Sequence, residues 1–315
     1  MRHATLPLLL AALLVAPAVN AAEPHYFTLH DLGHGIYAAV AKAGSGAGSN
    51  ASFVIGDDGV AVVDTFQDPA AAEELLATIH GITKQPVRFV VNTHYHLDHV
   101  AGNGVFHRAG AVLVAQENVR AWERSENLKW WGDHIPPKMK AMVDSLVLPD
   151  LVYQGRLELY LGSCKLEIRT LPGHTGSDSI VVVPDAGVVL TGDLFWNHTL
   201  PNTTDADTAA WVITDDKLLT DYPTATFVPG HGEIGKAADV RAFRDYLETL
   251  RLDVAKARVA GDQGKNLVDA VEPELAKVYS GWSWYSHFIK DNITQEAAEQ
   301  AGTKRYPGEP KKWGQ

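Results

Sequence analysis

The sequence predicts an α/β or α+β chain with sheets at its centre and helices around them. Short β-branched segments bounded by Gly, Pro and Asp recur in two groups, one before and one after the middle of the chain. Both groups contain near-continuous apolar runs, as expected where a sheet is covered on both faces.

The first group is Ser52–Ile55, Val60–Val63, Val87–Val91 and Val112–Val114. Between the second and third of these runs, Asp68 to His80 reads as a helix. It opens with Asp and an early Pro and carries Leu75, Leu76 and Ile79 along one face. Glu117 to Pro149 is helical in pattern, rich in charge and tryptophan (Trp122, Trp130, Trp131) and broken at Pro136-Pro137; it reads as an outer helical pair, with a lid over a site as the alternative. The second group is Leu157–Leu161, Leu166–Leu171, Ile180–Val183, Val188–Thr191 and Thr226–Val228. From Lys236 to about residue 303 the chain is mostly helical, giving extra C-terminal helices, and the polar tail from Gly302 is expected to fray.

The first residues read as a secretory signal. Arg2 supplies the positive start, Leu6 to Ala16 the apolar stretch, and Val19-Asn20-Ala21 the small residues for cleavage before Ala22. The expectation is therefore a signal peptide over 1–21, an exported, periplasmic protein, and a single domain over 22–315. The apolar stretch falls short of the roughly 20 residues a membrane span needs, and no later stretch supplies them. With Cys164 as the one cysteine, no internal disulfide is available, and a small buried role is expected for it. The formal charge of -11, uninterrupted by any run of Lys or Arg, argues against nucleic acid as a partner and leaves a small-molecule substrate. Gly44 to Ser49 (GSGAGS) lacks the Gly-Lys-Ser/Thr ending of a phosphate-cradling loop; it reads as a flexible loop that could contribute to substrate binding if it folds over a pocket.

The chemistry concentrates in NTHYHLDHVAGN, Asn92 to Asn103, where His94, His96, Asp98 and His99 follow an apolar strand. His94 and His96 alternate in the extended sense and can point to one side together, while Asp98 and His99 lie past the turn. Four ligands so closely spaced cannot all reach one tetrahedral ion. Two neighbouring ions solve this, with His94 and His96 serving one and Asp98 and His99 the other, and further ligands are then needed downstream. Three candidates stand in matching contexts, each after an apolar strand and a Gly: His174 in LPGHT, Asp193 in LTGD and His231 in VPGHG.

Through these motifs, from Asp64 in VVDT to His231, the chain resembles the metallo-β-lactamase fold superfamily of metallohydrolases. The resemblance implies an αββα sandwich of two mixed β-sheets flanked by helices. It implies a first metal on His94, His96 and His174, a second on Asp98, His99 and His231, Asp193 bridging both, and Asp64 as a structural aspartate. Zinc is the implied ion, with iron or manganese as alternatives suited to the same N/O ligands. The implied reaction is attack of metal-generated hydroxide on the carbonyl of a β-lactam, lactone, ester or thioester, with Asp98 orienting the nucleophile and carrying its proton. Three features depart from the lactamases that named the superfamily. Asp193 occupies a bridging position they generally lack, Cys164 lies outside every motif, and Val100-Ala101-Gly102 replaces a common Gly-Gly pair. A bridging aspartate is the pattern of glyoxalase II-like thioesterases and lactonases, whereas export fits action on β-lactams.

Two other classes stay open at this stage. One is an iron-dependent oxidoreductase of the sulfur dioxygenase type; the other is a non-catalytic metal-binding protein, which would need a closed site, whereas the ligand count leaves room for water. Trp196 and His198, just past Asp193, are candidates for substrate contact. Trp282, Trp284, Tyr285 and Phe288 are expected to pack C-terminal helices, with a pocket wall or subunit contact as the alternative, and His34, His80, His107, His134 and His287 to be surface or satisfied core residues.

Overall fold

The run Val60–Val63 shows how the continuous apolar segments are used. Successive side chains of a strand point to opposite faces. Here Val60 and Val62 enter a core beneath the helix Pro69–Ile82, while Ala61 and Val63 enter a second core between two sheets. The same division separates Phe53 from Val54 and Val90 from Val91. Both faces are dry, so neither can alternate with polar residues.

The computed structural model describes residues 23–308; the expected signal peptide over 1–21 lies outside the described residues. Seven strands, β1 (Phe27–Asp31), β2 (Ile36–Ala41), β3 (Ala51–Ile55), β4 (Val60–Val63), β5 (Val87–Asn92), β6 (Val112–Gln116) and β7 (Leu151–Tyr153), form one sheet in chain order. Its pairs are antiparallel from β1 to β4 and parallel from β4 to β7. The second sheet holds β8 (Arg156–Leu161), β9 (Cys164–Thr170), β10 (Ser179–Val183), β11 (Val188–Trp196) and β12 (Thr226–His231), in the order β12-β11-β10-β9-β8. Only its β11–β12 pair is parallel.

Between the sheets, Ile36, Val54, Val91 and Val114 of the first meet Leu166, Ile168, Val181 and Leu190 of the second. The outer face of the second sheet, through Ile180, Val182, Phe195 and Phe227, packs against Trp211, Phe243, Leu247, Val271 and Ile293. These belong to the helices Thr208–Asp221, Ala237–Val259, Gly264–Tyr279 and Tyr285–Gln300. The layers are therefore helix, sheet, sheet, helix: the αββα sandwich of two mixed sheets. Among the described residues no helix is long and apolar enough to cross a membrane.

The expected helix after Asp68 is present over Pro69–Ile82. The Asp68 side chain accepts from the backbone N–H of Ala70, and Pro stands where no intrahelical donor is needed. Other expectations need correction. The region 117–149 is no outer helical pair but four short helical pieces, Glu117–Trp122, Ser125–Leu128, Lys129–Trp131 and Pro137–Asp144. Cys164 is only partly buried, at the start of β9. The tail does not fray over its described part, because Lys304 is buried and donates to Thr203 O at 2.9 Å and Ala206 O at 2.5 Å.

Glu123 has neither carboxylate oxygen hydrogen-bonded and is fully buried. Burial pushes its pKa up to about 8, against the opposing pull of Arg124 and Arg120. An unfolded carboxyl titrates near 4.3, so between about pH 4.5 and 8 the folded chain holds a proton that the unfolded chain releases. This contribution to stability is complete below that window and lost as pH rises through it. Glu123→Gln should therefore melt above the wild type at about pH 9 and close to it at about pH 5. Thermal unfolding followed by circular dichroism at both pH values checks this, and an equal shift at both would contradict it.

Candidate metal centre

The asparagines that open and close NTHYHLDHVAGN are paired through their amides. Asn92 Nδ2 donates to Asn103 Oδ1 at 3.0 Å, and Asn103 Nδ2 returns a bond to Asn92 Oδ1 at 2.9 Å. The loop between them is thus pinned at its base, directly after β5. Its far side turns through the short helix Leu97–Val100, whose His99 carbonyl accepts from the backbone N–H of Thr65. Asp64, in the left-handed region at φ 59°, sits one residue beyond β4. Its Oδ1 accepts from Thr93 N at 2.8 Å, and its Oδ2 accepts from Thr93 Oγ1 at 2.7 Å and lies 2.8 Å from His99 Nδ1. Asp64 thereby turns the other ring nitrogen of His99 inward.

Strand ends bring the remaining residues to the same place. His174 lies in the loop between β9 and β10, shaped by Asp178, which accepts from Thr175 N and Thr175 Oγ1 at 2.7 Å each. Asp193 lies on β11 beside a register shift, and His231 closes β12. All seven residues singled out as ligands converge in two groups: His94, His96, His174 and Asp193; and Asp98, His99 and His231, with candidate ligand atoms of each group within 4.8 Å of one another.

Asp193 joins the groups through its two oxygens. Oδ2 is 3.2 Å from His174 Nε2 and 3.6 Å from His94 Nε2; Oδ1 is 3.1 Å from His99 Nε2 and 3.4 Å from His231 Nε2. Asp98 Oδ2 faces His231 Nε2 at 3.4 Å and His99 Nε2 at 3.7 Å. His96 has the opposite orientation from His94: its Nδ1 lies 3.0 Å from His174 Nε2, while its Nε2 faces Asp205 Oδ2 at 3.1 Å.

This packing suits a cation. His94 Nε2, His99 Nε2, His231 Nε2 and Asp193 Oδ1 are buried with no hydrogen-bond partner, and such atoms cost about 1–3 kcal/mol each when left unsatisfied. Burial holds the His94 and His96 imidazoles below their ordinary range, in the neutral form that ligates. Burial would also lower His99 and His231, but the surrounding carboxylates outweigh it. Asp193, Asp64 and Asp98 raise His99 well above its usual value, and Asp193 with Asp98 brings His231 to about 9. Asp98 goes the other way: burial would raise it, yet His99 and His231 bring it to about 2. The carboxylates thus call for positive charge among them. The donor set of imidazole and carboxylate is one that binds zinc, iron or manganese.

The centre is reached from two openings. One, of about 350 Å³, runs between Gly44–Gly48 and Ser283–Trp284 to His231. The other, of about 180 Å³, is bounded by His96, Leu97, Asp98, Asn127, Trp131 and Asn202. The glycine loop does therefore fold against the site, and the region 117–149 walls its other side. A larger cavity of about 660 Å³, lined by residues such as Phe27, Leu29, Ala77 and Ile82, contains none of the seven residues.

Trp196 and His198 are not among the residues that line the two openings. Trp196 is buried with its ring 3.9 Å from that of His231, a backing layer, and exposed His198 bonds Asn197 and packs on Trp282. Trp284 takes the wall position instead: 44% exposed, at φ 61°, with its ring 5.0 Å from His231. Tyr285 and Phe288 join the helical core with Trp282. His34, His80, His107, His134 and His287 are all exposed. Sequence reasoning missed Asp178, Asp205 and Asn127. Asp178 stood four residues after His174 in a polar turn, whereas Asp205 and Asn127 act across long sequence separations that no local pattern records.

A family model described as the metallo-beta-lactamase superfamily matches residues 44–231, more than half of the chain, and the chain belongs to that superfamily. The chain is similar to the metallo-beta-lactamase type 2 of Bacteroides fragilis, with 26% identity over 192 residues, covering 59% of this chain and 70% of that protein. It is also similar to a hydroxyacylglutathione hydrolase of Anaeromyxobacter dehalogenans, 30% identical over 149 residues; there the match spans about half of each protein, 47%. The fold is shared with a solved metallo-beta-lactamase from Pontibacter korlensis, with a TM-score of 0.60 and 24% identity over 70% of this chain and 99% of that one.

Gly230 makes the join at Asp193 possible, since a Cβ there would lie 1.8 Å from Asp193 Oδ1. Gly230→Ala should displace that carboxylate and lower the metal retained after dialysis, with the circular dichroism spectrum of the fold preserved. Elemental analysis of the dialysed protein checks this; full retention would contradict it.

Proposed function

We propose that this chain is an exported zinc hydrolase with two metal positions, in which hydroxide attacks the carbonyl carbon of a small substrate (a β-lactam, lactone, ester or thioester) and the acyl C–N, C–O or C–S bond breaks. The observation that carries the reading is the Asp193 carboxylate, with one oxygen turned to each group of imidazoles and buried nitrogens around it that lack hydrogen-bond partners. In the proposed assignment His94, His96 and His174 hold one ion, Asp98, His99 and His231 the other, and Asp193 both. Zinc bound there would lower the pKa of a water molecule to near 7 and polarise the substrate carbonyl.

The residues of the chain supply the rest. Asp98 is the most open of the seven, with 26% of its side chain exposed beside His231 at 4%. It also borders the smaller opening. Ionised and facing the substrate side, it is suited to orient the nucleophile and to take its proton toward the leaving group. Trp284 and the glycine loop offer an apolar, backbone-rich wall on the other opening, suited to a small substrate with exposed polar edges. The N-terminal apolar stretch of the sequence supports export, and export supports a substrate met outside the cytoplasm.

The test is hydrolysis of a panel of chromogenic β-lactam, lactone, ester and thioester substrates by zinc-loaded protein, with a chelator-treated sample alongside. Turnover of at least one class, lost with the chelator and restored by zinc, is expected. Absence of turnover across the panel, or turnover indifferent to the chelator, would overturn the reading. Asp98→Asn should lower kcat by about 10²-fold or more while most of the bound metal remains, which steady-state kinetics and elemental analysis check together.

A further inference from the structure

Behind His96 lies a line of buried charge that the hydrolytic reading does not use. His96 Nε2 faces Asp205 Oδ2 at 3.1 Å, and Tyr95 Oη donates to the same oxygen at 2.6 Å. The other oxygen, Asp205 Oδ1, accepts from Lys129 Nζ. Lys129 Nζ stands 3.5 Å from Glu126 Oε2. Glu126 in turn receives a two-pronged contact from Arg305, Nη1 to Oε2 at 3.0 Å and Nη2 to Oε1 at 2.9 Å, and a further bond from Gly308 N at 3.1 Å. Asp205 and Glu126 are almost fully buried, with side chains 2% and 5% exposed.

The neighbouring residue reaches the same carboxylate by another route. Lys304, its side chain 1% exposed, donates to the carbonyls of Thr203 and Ala206, which flank Asp205 in the chain, and its charge is met by Glu299 at 3.2 Å. Consecutive basic residues of the tail therefore fix both the backbone that carries Asp205 and the ion pair that holds its far oxygen. Burying so many charges is poor value for stability alone, since desolvation offsets much of the attraction. Its distinct effect is geometric. Asp205 keeps the Nε2 of His96 turned outward, leaving Nδ1 as the nitrogen that faces His174. Partners that hold a ligand in this way typically change metal affinity by about 10–100-fold.

We propose that Lys304 and Arg305 are positioning residues for the metal position of His94, His96 and His174, acting through Asp205 and through Glu126 and Lys129. This rests on the reading of that cluster as a metal site. The tail works as a strap: it sets which nitrogen His96 offers and holds it there before the ion arrives.

The test is zinc titration of the full chain against a competing chelator, for the wild type, Arg305→Met, Arg305→Lys and Glu126→Gln. Arg305→Met and Glu126→Gln should weaken the position of His94, His96 and His174 by about tenfold and leave that of Asp98, His99 and His231 unchanged. Arg305→Lys should recover part of the loss. A general loosening of the fold would weaken both positions together, and that result would overturn the proposal. In metal-free protein, ¹⁵N spectra of His96 should show a single tautomer with Nε2 protonated in the wild type and a mixture in Arg305→Met. Should Arg305→Met fail to fold, Glu126→Gln gives the same readout from the other side of the contact. Wild-type zinc binding with unchanged affinity and tautomer in the variants overturns the strap alone; a wild type that binds no zinc overturns the metal reading and the strap with it.

Discussion

Asp193 is the point on which the centre depends. A carboxylate buried to 3% exposure could not remain ionised without compensation, and the chain surrounds it with imidazoles from the ends of β5, β9 and β12, drawn from both sheets. Its pKa is consequently held well below that of an ordinary carboxyl, because His231 and His99 outweigh the cost of burial. The two sheets must therefore meet in one register, with their ends at one edge. The core between them, from Val54 and Val91 on one side to Val181 and Leu190 on the other, is what fixes that register.

Much of this was legible in the sequence. The strands β3 to β6 and β10 to β12 are largely apolar on both faces, which is a strong local signal, whereas β8 and β9 alternate apolar residues with the charged Arg156, Glu158, Lys165, Glu167 and Arg169, a period of two that is just as readable. β1, β2 and β7 lacked it: β1 is an edge strand of mixed burial, β2 is rich in alanine, and β7 is only three residues long. The seven clustered side chains were also legible, because each follows an apolar strand and most follow a tight turn. That context marks a side chain delivered to a strand end, whichever sheet it belongs to.

What was not legible were contacts made across the chain by residues in unremarkable settings. Asp205 lies in a polar loop like many others, and nothing local connects it with His96, 109 residues away. Trp284 and Trp196 show the same limit in another form. Both are tryptophans near a motif or a helix start, yet a left-handed backbone turns Trp284 to the cleft, while the long β11 draws Trp196 into the core. Polarity and spacing tell which residues are available; only packing tells which way they face.

The contact between Arg305 and Glu126 joins positions 179 residues apart, the same separation as the bond from Asn50 Nδ2 to Pro229 O, two residues before His231. Loop-closure entropy grows only slowly with length, so spans of this size cost little more than shorter ones. The centre is therefore held by contacts that reach from the first strands to the end of the described chain. Changes far along the sequence are in this sense changes to the surroundings of the same few side chains.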